Sequence, residues 1–386
     1  LNLVTFVVTQ LAMGITVLIA RYLGEKREDQ IGSIIGGGTV VFAAISLVLF
    51  VIMVGFARPI AVLMQAPEEA VGLTAAYIRI CGAGIFFIVA YNVLSAIFRG
   101  LGDSNSPLLF VFVACIVNVV GDLVLVAGLG MDAMGAALAT VFAQALSVVF
   151  AIVRLVKKGL PFTITGYDFR LNPQCGKFLQ IGLPLALQEC LTQGSFLALC
   201  AFVNRLGLEA SSGYGVACKI VNFAMLIPGA LMQSTSSFVS QNVGAGEQKR
   251  AKKTMFTGIG IGLLVGCFAF SLVFFRGDLL AGIFSADAAV VQRGYEYLKG
   301  FAPETLLTAV LFSMMGYFNG NGKTVWVMLQ GLIQTLLVRL PFAYYMSIQT
   351  DASLTNIGLA APISTAVGIV LNVAFFLYLE HAAKRS

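Results

Sequence analysis

The sequence predicts an all-α integral membrane protein, built as a bundle of membrane-spanning helices in two repeated lobes. Three observations predict this class: the composition, a series of long apolar runs and an internal repeat. Of the 386 residues, 59% are hydrophobic and only 11% are charged, whereas soluble domains carry about 25% charged residues. The composition therefore excludes a soluble globular protein, and we expect no nucleic-acid partner.

The apolar runs have the length of membrane-spanning helices. A helix needs about 20 apolar residues to cross the hydrocarbon core of a bilayer, and eleven runs approach or exceed that length. They lie near residues 2–20, 31–55, 73–97, 107–128, 131–153, 178–202, 215–240, 254–275, 293–317, 324–347 and 355–379. Gly and Ala are frequent inside them, which favours close helix packing in lipid. The alternation typical of a membrane β-barrel is absent, so the predicted fold is all-α.

The basic residues predict the orientation in the membrane, because cytoplasmic loops retain Lys and Arg. Seventeen of the 24 Lys and Arg residues lie after the odd-numbered runs or at their rims, and four lie in the opposite loops. We therefore expect the C-terminus to be cytoplasmic, in the cytoplasmic membrane of a bacterium.

An internal repeat divides the chain. Residues 24–27 resemble 246–249 at an offset of 222, and residues 98–103 resemble 318–323 at an offset of 220. Residues 77–79 and 135–138 find similar partners, at offsets of 220 and 223. Parallel repeats of this kind relate the halves of many transporters. We predict an N-lobe over 1–155, a cytoplasmic linker over 156–177 and a C-lobe over 178–386.

The repeat also predicts how many helices the whole protein has. The run at 178–202 has no partner in the first half, and the chain opens on Leu. We therefore expect a twelve-helix protein of six plus six helices. Eleven of its spans are present here, and the first is missing.

Polar residues inside the apolar runs are candidate functional residues, since they are costly in a membrane and often mark ion or substrate pathways. Asn118 and Asp122 are four residues apart, hence on one helix face, and Thr140 and Gln144 repeat that spacing on the next helix. Carboxylate, amide and hydroxyl oxygens suit a hard cation such as Na⁺, or a proton. The alternative is hydrogen bonding between helices, which we favour for Thr140 and Gln144 taken alone; for Asp122 we favour function.

The second half contains three further candidates. Glu189 and Glu304 each lie about 11 residues into their runs, about 16 Å along a helix. Arg339 lies beside Pro341, and extension of its side chain to the membrane surface explains it as well as function does. All three are candidates for substrate contact or ion coupling.

Catalytic and metal-binding motifs are missing from the sequence. One His and seven scattered Cys form no metal-ligating pattern, so we expect no cofactor and no bound metal beyond a coupling ion. Residues 316–324, GYFNGNGKT, resemble a phosphate-binding loop, but its first Gly is misplaced and no strand precedes it. Because HExxH and GxSxG are also absent, we do not expect an enzyme.

Several stretches, taken in order, resemble the MATE (multidrug and toxic compound extrusion) family. They are LGEKRED, FRGLGDSNSP, NVVGD, GMDAMGAALATVFAQ, GLPLALQE, SQNVGAGEQKRAKK and LVRLPFAYY. The resemblance implies a twelve-helix, two-lobe bundle that exports organic, often cationic, compounds in exchange for Na⁺ or H⁺ by alternating access. It also implies a cation site at Asn118, Asp122 and Thr140, which fall on the positions of the family's N-lobe site.

Other functions remain open at this stage. A flippase for lipid-linked saccharides has the same superfamily architecture, but it would need a more cationic cavity than Arg79, Lys219 and Arg339 supply. An integral-membrane enzyme or a non-transporting scaffold is less consistent with acidic residues inside the runs. The partners that we expect are small organic molecules and membrane lipids, and two lobes enclose a cavity, so a monomer suffices.

Overall fold

The structure, a computed structural model, describes residues 2–63, 68–157 and 163–385, and its regular elements there are all helical. The first eight helices are α1 (Asn2–Gly24), α2 (Ile31–Gly55), α3 (Ala57–Leu63), α4 (Glu68–Ala83), α5 (Ile85–Gly100), α6 (Asn105–Asp122), α7 (Asp132–Lys157) and α8 (Pro173–Asn204). The remaining helices are α9 (Leu208–Ala224), α10 (Leu226–Gly244), α11 (Gln248–Gly282), α12 (Ala288–Phe301), α13 (Glu304–Gly320), α14 (Thr324–Leu332), α15 (Leu340–Ser347), α16 (Leu354–Gly358) and α17 (Ala360–Arg385).

The number of candidate membrane spans agrees with the sequence. Among the described residues, nine helical stretches are long and apolar enough to cross a membrane, and eleven are if two bent helix pairs each count as one span. Every predicted run coincides with one of these stretches. The all-α membrane fold is therefore confirmed.

The two bent pairs occupy equivalent places in the two halves. Helices α4 and α5 meet at Gly84 with a bend of 52°, and α12 and α13 meet before Glu304 with a bend of 47°. The sequence predicts uninterrupted runs at both places. Pro303 accounts for the second break, because proline lacks the N–H that a continuing helix needs for its hydrogen bond.

Two further helices change their winding. Residues Leu123–Gly128, directly after α6, and Ile333–Arg339, between α14 and α15, form π-helical segments. The wider turn of a π-helix occurs frequently at functional sites. Both segments lie on helices that carry a predicted site residue.

The chain divides into two compact units, Leu1–Ala186 and Leu187–Ser386. The division lies inside α8, later than residue 178, where the sequence predicts the second lobe to begin. The first part of α8 crosses α1 at two glycines, since a Cβ on Gly14 would overlap the carbonyl of Phe178 and a Cβ on Gly182 would overlap that of Leu11. This close backbone approach packs the start of α8 into the first unit.

The segment before α8 is also attached to the first unit. Ser33 on α2 donates a hydrogen bond to Asp168 (2.8 Å), and the side chain of Asn172 donates one to the carbonyl of Ser33 (2.8 Å). The backbone N–H of Thr165 donates a hydrogen bond to Asp168 (2.8 Å). This bond, followed by that from Ser33, holds the pKa of Asp168 below its usual value. Of the predicted linker 156–177, residues 158–162 lie outside the described residues.

Each unit has its own apolar core. In the first unit, buried residues of α1, α2, α4 and α5 pack together, among them Ile15, Phe42 and Ile88. In the second unit, α8, α9, α12, α16 and α17 supply most of the core, and the rings of Tyr214 and Tyr297 meet edge to face at 4.9 Å.

The backbone torsion angles at corresponding turns of the two halves show the internal repeat. Lys26 and Gly246 both have a positive φ, of 57° and 77°, and so do Gly102 and Gly322, at 77° and 74°. Both pairs are separated by 220 residues. The sequence similarity aligned Gly24 with Gly246, an offset of 222, and this alignment is wrong by two residues, because backbone geometry pairs Gly246 with Lys26.

Candidate functional site

The candidate site of the first unit lies between α6 and α7, which are joined by a short connection and pack closely. Gly121 on α6 faces Ala139 on α7, where a Cβ on the glycine would lie 2.8 Å from the Cβ of the alanine. Any larger residue at 121 would separate the two helices. The glycine therefore brings the polar residues of α6 next to those of α7.

Two of the predicted site residues meet across this helix pair. The side-chain amide of Asn118 donates a long hydrogen bond of 3.4 Å to the hydroxyl of Thr140. That hydroxyl donates its own proton to the carbonyl of Ala136, one turn earlier, at 2.9 Å. The amide oxygen of Asn118 takes no part in either bond and can accept a further partner.

The other two predicted residues carry acceptor oxygens without partners. One carboxylate oxygen of Asp122 and the side-chain oxygen of Gln144 are both buried, and neither has a hydrogen bond. Asp122 is the last residue of α6 before the π-helical segment. It also lies close enough to Tyr77 on α4 to interact with it electrostatically.

This arrangement is chemically an acceptor site. Asp122, Asn118 and Thr140 supply a carboxylate, an amide oxygen and a hydroxyl, and within the described residues no Lys or Arg forms an ion pair with Asp122. Gln144 lies one turn beyond Thr140, on the side away from Asp122, because α6 and α7 run in opposite directions. Oxygen ligands of this kind suit hard monovalent or divalent cations, and a buried carboxylate equally suits a proton. No group of three or more His, Cys, Asp or Glu residues that could hold a metal occurs in the described part of the chain.

The second unit holds a different polar arrangement, a chain of hydrogen bonds through four side chains. Gln330 donates to Gln334 (2.5 Å), Gln334 donates to the hydroxyl of Thr365 (3.1 Å), and Thr365 donates to one oxygen of Glu304 (2.8 Å). Glu304 is only 8% exposed, and its other carboxylate oxygen has no partner. The chain connects α14, the π-helical segment after it, α17 and α13.

Arg339 and Glu189 complete the predicted residues. Arg339, the last residue of the second π-helical segment, is buried, and its guanidinium lies 4.2 Å from the centre of the Phe196 ring. The guanidinium of Arg339 is therefore packed inside the second unit. It interacts electrostatically with Glu304 but forms no ion pair with it. Glu189 is half-buried and accepts a hydrogen bond of 2.7 Å from Gln193 on its own helix.

The sequence analysis missed three polar residues of the second unit, Gln330, Gln334 and Thr365. The signal was present, because Gln330 and Gln334 are four residues apart inside an apolar run, the spacing that singled out Asn118 and Asp122. Tyr77 was also missed, and only the packing of α4 against α7 brings it near Asp122.

The chain has clear relatives among known proteins. The sequence model of the family described as MatE matches residues 1–124 and 184–345. The probable multidrug resistance protein YpnP of Bacillus subtilis is 27% identical over 286 residues, which make up 74% of this chain and 64% of that protein. The multidrug export protein MepA of Staphylococcus aureus is 26% identical over 333 residues, covering 83% of this chain and 72% of that protein.

Solved structures have the same fold. A multidrug resistance MATE family transporter of the MOP superfamily, solved in an outward-facing conformation, superimposes with a TM-score of 0.93 at 21% identity. The superposition covers 100% of this chain and 86% of the transporter's chain. A MOP superfamily transporter of Pyrococcus furiosus, described as having a binding pocket of reverse polarity, gives a TM-score of 0.91 at 21% identity.

Proposed function

Because this chain belongs to the MatE family, we propose that it is a multidrug efflux antiporter. It exports organic, often cationic, compounds in exchange for Na⁺ or H⁺, and it does so by alternating access between its two lobes. The names of the Bacillus and Staphylococcus relatives support export of multiple drugs. The same relatives support transport in preference to catalysis.

The observation that carries the coupling site is the unpartnered carboxylate oxygen of Asp122. It lies one helical turn from Asn118, whose amide meets Thr140 across the helix pair. We assign Asn118, Asp122 and Thr140 as the site of the coupling ion, and we keep Gln144 as a separate candidate for substrate contact or coupling. Glu304 is a second candidate for coupling, since one of its oxygens also lacks a partner.

In this mechanism, Asp122 exchanges a cation or a proton. A carboxylate without a positive partner is unfavourable where water is scarce, and binding of either ion neutralises it. Neutral Asp122 then favours one packing of α6 against α7, and ionised Asp122 favours another. The ion drives the change only because it binds one state more tightly than the other.

The basic residues support a location in the bacterial cytoplasmic membrane with a cytoplasmic C-terminus. The N-terminal turn of α11 contains Lys249, Arg250, Lys252 and Lys253, and α17 ends at Lys384 and Arg385. Because cytoplasmic loops retain Lys and Arg, these residues support a cytoplasmic location of both helix ends. Two lobes in one chain supply both sides of a transport path, so the proposed working unit is a monomer.

The test compares Asp122→Asn with Asp132→Asn in proteoliposomes. Both substitutions replace a carboxylate by an amide, but Asp132 is exposed at the start of α7. Efflux of a fluorescent organic cation such as ethidium is followed under a Na⁺ gradient and, separately, under a pH gradient.

We expect Asp122→Asn to lower ion-driven efflux more than tenfold and Asp132→Asn to leave it within about twofold, since a loss of about 1.4 kcal/mol corresponds to tenfold. Unchanged efflux by Asp122→Asn refutes the site. No efflux by the unmodified protein under either gradient, with a range of organic cations, refutes the function.

A further inference from the structure

A cleft on the second unit lies apart from both polar arrangements. It opens between α10 and α11, has a volume of about 460 Å³, and extends from the turn that joins the two helices toward their middle. At the turn it is lined by Asn242, Arg250 and Lys253. Its two ends differ in chemistry, and that difference indicates an occupant.

The end at the turn is cationic. Neither Arg250 nor Lys253 forms an ion pair within the described residues, whereas the neighbouring Lys252 pairs with Glu380 at 2.5 Å. Both cations are exposed, and the amide of Asn242 is beside them. Two unpaired cations with hydrogen-bond donors form a site for a phosphate group.

The other end of the cleft is apolar and open. It is lined by Leu231, Phe238 and Ile261, of which Phe238 is 53% and Ile261 is 49% exposed. The middle of the cleft, between the two ends, also contains the hydroxyl side chains of Ser234, Thr235, Thr254 and Thr257. Ile261 is eleven residues from Arg250 along α11, about 16 Å at 1.5 Å per residue. That distance separates a charged headgroup from the upper part of an acyl chain.

We propose that this cleft binds an anionic glycerophospholipid, with the headgroup phosphate on Arg250 and Lys253 and an acyl chain along Phe238 and Ile261. Basic clusters at the cytoplasmic ends of membrane helices attract anionic lipids. A soluble anion would bind the two cations but would make no contact with the apolar end. A neutral lipid would contact the apolar end but would not be attracted by the cations. The proposal is independent of the transport site, which lies in the other unit.

The test is native mass spectrometry of the purified protein, with phosphatidylglycerol and phosphatidylcholine of the same acyl chains as probes. Three variants are compared with the unmodified protein. Arg250→Gln with Lys253→Gln removes the cations of the cleft, and Thr257→Trp keeps them but fills the cleft. The matched control is Lys249→Gln with Lys384→Gln, which removes two exposed cations that do not line the cleft.

We expect one tightly bound phosphatidylglycerol, preferred over phosphatidylcholine, and at least a tenfold loss of its affinity in the first two variants but not in the control. Inorganic phosphate at 50 mM should not displace it. Equal binding of the two lipids, an equal loss in the control, or undiminished binding to Thr257→Trp overturns the proposal. Displacement by inorganic phosphate shows an anion site without lipid selectivity, which also overturns it.

Discussion

Both units carry polar side chains inside their membrane helices, but they differ in how far these side chains are hydrogen-bonded to one another. In the first unit, Asp122 and Gln144 present buried oxygens without partners, and only Asn118 and Thr140 are joined, by a long bond. In the second unit, Glu304 is at the end of a continuous chain of hydrogen bonds and has a buried arginine nearby, although one oxygen each of Glu304 and Gln330 has no partner. The polar side chains of the second unit are therefore more fully connected than those of the first.

The difference separates two uses of a polar group inside a membrane protein. Side chains that form hydrogen bonds with one another hold helices together. Removing one member leaves buried donors and acceptors without partners, which is costly. An acceptor left without a partner stabilises nothing by itself, but it is free to bind an ion. The first unit is therefore the better candidate for coupling, and the second unit's polar chain is the better candidate for structure.

The largest expected difference is in ion-driven efflux. Glu304→Gln keeps an oxygen that accepts the hydrogen bond of Thr365, so we expect its efflux to fall by less than threefold. Asp122→Asn should lower efflux more than tenfold in the same proteoliposome assay. Equal losses would show that both units bind the coupling ion, and the contrast between them would then fail.

A smaller difference is expected in stability. Thr365→Val removes a hydroxyl that bridges Gln334 and Glu304. The side-chain N–H of Gln334 and the carboxylate of Glu304 then both lose this partner, at a cost of roughly 1–3 kcal/mol. Thr140→Val removes only the bond to Ala136 and the long bond from Asn118, so about 1 kcal/mol or less is expected. Thermal unfolding in detergent measures both, and a larger loss for Thr140→Val would contradict the comparison.

The smallest effect concerns Asp168, whose carboxylate is attached to α2 in the first unit. Its pKa is lowered in the folded state, chiefly by the backbone N–H of Thr165 and then by Ser33. The stability that it contributes is therefore full at neutral pH and decreases as the pH falls below 3.8, the ordinary value, toward the lowered pKa.

Asp168→Ala should lower the unfolding midpoint by roughly 2–4 °C at pH 7. The gap from the unmodified protein should narrow as the pH is lowered below 4. Glu209→Ala, an exposed carboxylate in the second unit, is the control and should leave the midpoint unchanged. A gap for Asp168→Ala that does not depend on pH would show that the carboxylate contributes only through packing.

Much of the fold followed from the sequence because lipid imposes simple rules. Each predicted run is helical in the structure, two of them as bent helix pairs, and the positions of Asn118 and Thr140 on adjacent helices predicted that they would meet. The spacing of four residues on one helix and the short connection between the two helices are local features that can be read from the sequence alone.

What the sequence did not predict depends on contacts between distant residues. The runs interrupted by the bends at Gly84 and Pro303 have continuous hydropathy, so the sequence predicts one helix at each place. A hydropathy profile contains no information about the direction of the helix axis. The burial of Arg339 depends on Phe196, and the partner of Glu304 is Thr365. The two-residue error in the repeat alignment arose because residue similarity paired Gly24 with Gly246, whereas the positive φ of Lys26 makes Lys26 its structural equivalent.

The left-handed turn at Lys26 and Gly246 has an evolutionary consequence. A residue with a side chain pays a conformational cost in that geometry, which glycine avoids. If both copies descend from one ancestral segment, the backbone conformation of this turn was conserved while the residue at the position changed between Lys and Gly. Homology between the halves is then better traced through torsion angles than through residue identity.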